Sequence, residues 1–213
     1  FSHARISFDS VPIVDIFILT VLVAAMIVIL LSRRGSMLRR ATARASLLLI
    51  MAYIGISAVI KTNVDNGIRK KLMVENLSFT RIHSTPLPLT NLIWMVAVED
   101  STGYSIYQKN IINDKLTYKT YLARNERLLD GCGNSTKMDK LLSFTKGFYM
   151  VEKLSNGQLY IYDLRFSSLA DGYPQSFVLK FDVSCNEENL LLHPSHPSRN
   201  ITPRNIKKLW NNL

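Results

Sequence analysis

A chain of 213 residues with a net charge of +10 has room for one soluble domain and a small second part, which excludes a large multidomain assembly. The basic excess is uneven: residues 33–44 hold five arginines and no acid, while the charges from Lys61 onward are scattered. Scattered charge lacks the stripe that marks a nucleic-acid footprint, so no nucleic-acid partner is expected.

The sequence opens on Phe1 rather than Met, as a fragment or a processed chain does. Residues 1–10 lack the basic segment, short apolar core and small-residue cleavage site of a signal peptide. Residues 11–31, VPIVDIFILTVLVAAMIVILL, then form an apolar run with one charge, Asp15. Roughly 20 such residues suffice to cross a bilayer as a helix, so the run is read as a retained span and the lipid bilayer as a partner. An acid at the edge of a span is costly and usually has a reason to be there. Asp15 has two readings. It lies at headgroup level near a helix start, where the dipole favours an anion, or it is a metal ligand or acid/base group at the membrane face. Asp9 lies six residues earlier, with Pro12 between. Two carboxylates there could share a divalent cation, which favours oxygen ligands. A turn or capping role is the plainer reading of Asp9, and His3 is either a nitrogen ligand or solvated.

A second apolar stretch covers residues 45–60, flanked by Arg44 and Lys61. It is short for a span, but both flanking side chains can bury their stems and reach the interface. Two spans joined by the Arg-rich link predict a helical hairpin. Short Arg-rich loops stay cytoplasmic, which places residues 61–213 outside the cytoplasm, in the periplasm for a Gram-negative cell. Residues 62–77 continue as helix, with Val64, Ile68 and Leu72 on one face and Asn66-Gly67 as a weak point. Thr85-Pro86-Leu87-Pro88 cannot lie inside a helix and marks the start of a strand-rich domain.

Strands are predicted at 92–98, 104–109, 117–122, 147–153, 159–165 and 176–183, where aromatic and β-branched residues alternate with turn signals. Ser155-Asn156-Gly157 is the clearest hairpin turn, with Ser101-Thr102-Gly103 a second. A short helix is expected at 138–144, and another after Thr202-Pro203, with Ile206, Leu209 and Trp210 on one face. Asp163 and Arg165 share a strand face, which suits structural pairing. His193 and His196 have metal-like spacing but no further ligand to complete a zinc shell, so they read as surface loop. His83 reads as structural. Cys132 and Cys185 are too few for a disulfide framework. They pair in an oxidising compartment or stand as two buried thiols. The fold class expected is therefore a membrane α-helical hairpin (1–61), a connecting helix and linker (62–84), and a mainly β, α+β soluble domain (85–213). No Gly-x-Ser-x-Gly, His-Glu-x-x-His or glycine-rich phosphate loop is present.

Three stretches together, RISFDSVPIVDIFILTVLV (5–23), TPLPLTNLIWMVAVEDSTGY (85–104) and FTKGFYMVEKLSNGQLYIYDLRF (144–166), resemble the bacterial inner-membrane metal-dependent hydrolases, also called LexA-binding, inner-membrane-associated hydrolases. The resemblance spans nearly the whole chain and implies that it corresponds to the family's C-terminal portion. The family's His and Asp motifs, including a His-Arg-Gly…His stretch on N-terminal helices, are absent here. The Asp of the family's Val-Asp-Pro segment maps onto Asp15, but Ile16 stands where the family has proline. Asp9 and Arg5 fall in the same segment. The resemblance implies an inner-membrane hydrolase in which a divalent metal polarises a substrate oxygen or activates water. Asp15 would then bind the metal or orient a ligand, and the β domain would cover the site or select an unknown substrate. The competing expectation is a non-catalytic, membrane-anchored β domain that binds a partner or an envelope component. A third idea, DNA or repressor binding through the Arg-rich loop, is unnecessary, because those arginines already satisfy the positive-inside rule. The sequence leaves the oligomeric state open.

Overall fold

The computed structural model describes residues 10–12, 14–132, 136–167, 173, 176–186 and 189–195. Two helices lead and two four-stranded antiparallel sheets follow. Helix α1 (Ile16–Leu31) starts at Asp15, whose carboxylate accepts the Ile18 amide at 3.0 Å. That satisfies one of the amides a helix start leaves without a partner. Ser36 caps α2 (Met37–Val74) in the same way through the Arg39 amide.

Helix α2 is one continuous element of 38 residues, about 57 Å long at 1.5 Å per residue. The second apolar stretch and the amphipathic segment after it are therefore the same helix. Asn66-Gly67 does not break it. Val64, Ile68 and Leu72 are buried on the adjoining sheet, and such packing outweighs a glycine penalty of about 1 kcal/mol. The helix stops at Glu75, where Asn76 takes a left-handed φ of 53°, a conformation asparagine tolerates well at a helix end.

Over α1 and the first part of α2, large apolar side chains are uncovered. Leu19, Leu22, Met26 and Leu30 on α1, and Leu47, Leu48, Met51 and Ile56 on α2, are each at least half exposed. Among the described residues, α2 is long and apolar enough to cross a membrane, and α1 is a shorter apolar helix packed beside it.

The first sheet has the order β1 (Arg81–Pro86), β2 (Ile93–Glu99), β3 (Gly103–Asn110) and β4 (Leu116–Ala123). The second has the order β5 (Tyr149–Lys153), β6 (Leu159–Ser167), β7 (Phe177–Asn186) and β8 (Asn189–Ser195). Helix α3 (Thr136–Phe144) and a 3-10 helix (Glu126–Cys132) connect them. Strands β1 and β8 have no counterpart in the sequence reading. β1 carries the polar run Arg81-Ile82-His83-Ser84-Thr85-Pro86. Its proline is tolerated because an edge strand can leave a ladder position without a donor. His193 belongs to β8 rather than to a loop, while His196 and the helix expected after Thr202 lie outside the described residues.

Four layers result: α2, the first sheet, the second sheet, then α3 with the 3-10 helix. Strand β2 is buried along its whole length. Trp94, Val96 and Val98 lie under α2, while Ile93, Met95 and Ala97 join Met150, Leu164 and Phe177 between the sheets. Burial on both faces explains its continuous apolar run. On the outer face of the second sheet, Val151 and Ile161 pack against Met138 and Leu141 of α3. Cys132, ending the 3-10 helix, is disulfide-bonded. The turn at 155–157 places only Gly157 at positive φ, 84°. It closes through the Gly157 amide to Leu154 O and the Leu154 amide to Gln158 O, each 2.9 Å. Glycine alone thus takes the left-handed position, as in three-residue hairpin loops.

Ile68 is 1% exposed at the centre of the helix–sheet contact. Ile68→Ala is expected to lower unfolding stability by about 2–5 kcal/mol, as buried aliphatic truncations do. Denaturant titration followed by tryptophan fluorescence measures this. A loss below about 0.5 kcal/mol is the size of a surface substitution and would mean the helix does not depend on this packing.

Candidate functional site

Helix α2 carries polar residues every fourth position: Tyr53, Ser57, Lys61, Asp65 and Arg69. Residues four apart share one helix face, so these side chains form a ladder along one edge. The rungs meet the start of α1, the β1–β2 loop, β1 and the segment before β1 in turn. The Tyr53 hydroxyl donates to Asp15 Oδ2 at 2.5 Å, at the start of α1. Ser57 Oγ donates to the Tyr53 carbonyl at 2.9 Å and accepts from Asn91 Nδ2 at 2.5 Å, in the β1–β2 loop. Lys61 Nζ donates to Ser84 O and Oγ at 2.7 and 2.9 Å, and Ser84 Oγ donates to Asp65 Oδ1 at 2.5 Å. Arg69 lies over the Phe79 ring. Lys61 therefore reaches into the sheet, where the sequence suggested only that it extended toward an interface.

The upper rungs close a compact polar cluster. Asp15 is 8% exposed and Asn91 is 7% exposed. The Phe17 ring stacks on Tyr53 at 4.6 Å between centroids. Ser57 and Asn91 also approach the Tyr53 hydroxyl. The Leu89 amide donates to Val14 O at 2.8 Å, and Trp94 Nε1 donates to Asn91 O at 3.0 Å. Leu89 holds a φ of 70° to make this reach, a strained value for a non-glycine residue. The β1–β2 loop is thus tied to the segment entering α1, to α2 and to β2 at once.

Each Asp15 carboxylate oxygen accepts one hydrogen bond, from Ile18 and from Tyr53. Asn91 Oδ1 is buried and has no hydrogen-bond partner. Beside the Tyr53 and Ser57 hydroxyls, these two side chains keep oxygen lone pairs that could face a cation. Together they supply one carboxylate and one amide, short of the six or more oxygens a calcium or magnesium ion takes. Among the described residues no group of three His, Cys, Asp or Glu side chains could hold a metal. The described residues therefore do not complete a metal shell by themselves. Asp9, His3 and Arg5 lie outside the described residues.

Two further polar clusters lie away from this junction. Glu99, 4% exposed, accepts from Arg81 and from Arg124. Arg81 also donates to Lys146 O and lies over Phe148, and the Tyr104 hydroxyl donates to Gly147 O at 2.7 Å. Hydrogen bonding to Glu99 raises the Arg81 pKa further, and burial raises that of Tyr104. The group ties the far end of the first sheet to the start of β5. In the second sheet, Arg165 Nε and Nη2 form a bidentate pair with Asp163, at 2.9 and 2.6 Å, with Phe144 and Phe166 against the guanidinium. Both clusters pair charge with charge.

The sequence singled out Asp15 and missed Tyr53, Ser57, Asn91 and Glu99. The signal for the first two was present: two polar residues four apart in an apolar run. Comparison with family models, curated proteins and solved structures finds no match to this chain.

Tyr53→Phe removes the hydroxyl that Asp15 accepts and leaves a buried carboxylate oxygen without its donor. A loss of about 1–3 kcal/mol in unfolding stability is expected. A double-mutant cycle with Asp15→Ala is expected to give a coupling of at least about 0.5 kcal/mol. Additive effects would show that the contact carries no energy.

Proposed function

We propose that the chain is a membrane-anchored module in which α1 and the first part of α2 form a transmembrane hairpin and the β domain stands outside the cytoplasm. The observation that carries this reading is the uncovered apolar surface of both helices. Contiguous exposed apolar patches beyond a few hundred Å² are uncommon on soluble monomers, and lipid is a solvent that suits them. Three features support the orientation. Arg33, Arg34, Arg39, Arg40 and Arg44 cluster around the turn between the helices, as the positive-inside rule asks of a cytoplasmic loop. The disulfide at Cys132 suits an oxidising compartment. Leu89, Leu92 and Ile112 are exposed on loops at the end of the first sheet nearest the hairpin, where they would touch the outer leaflet.

In this reading Asp15 is a latch. It caps α1 and holds α2 through Tyr53, while Asn91 and Leu89 fasten the β domain to the same point. The domain is held close to the bilayer, a suitable arrangement for binding a partner or an envelope component at that surface. The second reading keeps the resemblance to inner-membrane metal-dependent hydrolases. It is favoured by the buried Asp15 beside the unpartnered Asn91 Oδ1. Those two side chains would then contribute to a divalent-metal site completed by residues other than the described ones.

Alkaline extraction of membranes is expected to leave the chain in the pellet, and a reporter active only outside the cytoplasm is expected to work when fused after Leu213. Release into the soluble fraction, or activity only from a cytoplasmic reporter, would refute the anchored orientation. Metal analysis separates the two readings. Stoichiometric divalent metal lost on Asp15→Asn supports the hydrolase, and metal-free protein with an unchanged fold supports the latch alone.

A further inference from the structure

A groove of about 510 Å³ lies between the upper part of α2 and the β3–β4 hairpin. Its partly exposed apolar lining is Ile60 of α2 with Ile111 and Leu116 of the hairpin, set over Val64 and Ile68, which are 3% and 1% exposed. Lys71 and Lys109 stand on its rim with Asp114. Gly67 also lines it. A glycine inside a helix costs about 1 kcal/mol relative to alanine, so its presence calls for a reason. The usual one, close approach of another backbone, is absent: a Cβ built on Gly67 meets nothing within 4 Å. It would point into open space, so the missing side chain keeps the groove free.

The groove's lower end identifies its occupant. Ile60 follows directly on the lipid-facing stretch that ends with Ile56 and Val59, and Ile111 neighbours the exposed Ile112. The apolar wall therefore continues the surface assigned above to the bilayer. The lysines pair with Glu75 and Asp114, carboxylates that are 43% and 91% exposed. The Lys71 pair lies at the surface and is worth at most about 1 kcal/mol, so another anion can replace Glu75, while Lys109, 14% exposed, also donates to Asp114 O at 2.7 Å. An apolar wall rising from a membrane with two ammonium groups at its rim matches one acyl chain and the phosphate of a phospholipid.

We infer that this groove holds a single membrane phospholipid, with an acyl chain along Ile60, Ile111 and Leu116 and its phosphate at Lys71 and Lys109. The inference rests on the membrane-anchored reading and deepens it by naming a ligand class.

The test uses the full chain in vesicles of phosphatidylethanolamine and phosphatidylglycerol containing a trace phospholipid with a photoreactive diazirine on one acyl chain. After irradiation, adducts are mapped by peptide mass spectrometry. Wild type is expected to carry adducts at 16–31 and 45–59 from the bulk bilayer, and at 60–71 and 109–116 from the groove. Gly67→Leu fills the groove with a better helix former. It is expected to keep or raise the melting temperature, leave the bulk adducts unchanged and cut the groove adducts at least fivefold. Lys71→Gln with Lys109→Gln is expected to weaken them as well. Groove adducts that persist in Gly67→Leu, or that never form while the bulk adducts do, overturn the lipid site and leave the anchored reading standing. No adducts at any position would overturn the anchored reading and the lipid site with it.

Discussion

The ladder of Tyr53, Ser57, Lys61 and Asp65 on α2 is the constraint on which the rest of the molecule depends. A 38-residue helix that emerges from an apolar hairpin could leave its far end free to swing. Here the rungs meet three elements in turn: Tyr53 the start of α1, Ser57 the β1–β2 loop, and Lys61 with Asp65 the same residue of β1, Ser84. The apolar side formed by Val64, Ile68 and Leu72 runs beside it and buries Trp94 and Val96. The apolar face supplies most of the adhesion, about 1.5–3 kcal/mol for each fully buried aliphatic side chain. Adhesion of that kind has no direction. The hydrogen bonds supply the direction, because a one-residue shift of the helix would bury Ser84 and Asn91 without partners, each costing about 1–3 kcal/mol.

The second sheet is fixed by a similar division of labour. Met95, Ile106, Met150 and Leu164 fill the space between the sheets. Glu99 with Arg81 and Arg124, and Tyr104 on the Gly147 carbonyl, set the register at the end far from the hairpin. A buried carboxylate between two guanidiniums contributes little net stability against an apolar alternative, but removing one partner is expensive. Its value lies in excluding other arrangements. The two ends of the first sheet are thus held by different chemistry, neutral and singly charged groups near the hairpin and a charge cluster away from it.

Much of this was legible in the sequence. The strands within 92–122 and 147–183 were marked by aromatic and β-branched residues between turn signals, because burial demands them. β2 was readable for the added reason that both of its faces are covered. β1 was hidden by its own polarity: Arg81, His83 and Ser84 serve Glu99, Phe148 and Lys61 rather than a hydrophobic pattern. The ladder was hidden by the division of α2 at Lys61. Reading one apolar span and one amphipathic helix separated Tyr53 and Ser57 from Lys61 and Asp65, and the repeat of four vanished. Asn91 is a loop residue, and nothing local announces that Ser57, 34 positions earlier, will be its partner. The chemistry of the junction was therefore visible only through Asp15, whose charge breaks the apolar run.

Asp15 shows how far one anomalous residue carries. An acid in an apolar segment demands compensation, and the sequence admits a metal, a proton or a helix end as the compensating partner. The fold supplies a helix end and a tyrosine hydroxyl. Both leave further lone pairs on the carboxylate, so coordination is not blocked. Any cation that bound there would nevertheless compete with donors already in place, each hydrogen bond to a charged group being worth about 1.5–3 kcal/mol. Carboxylates that bind metals are themselves held by outer-shell hydrogen bonds, so bonds at both oxygens suit either role. Asp15 is held at both oxygens by two different helices and lies beside a loop held in a strained conformation at Leu89. The geometry supplies a fixed post around which the two helices and the β domain are joined.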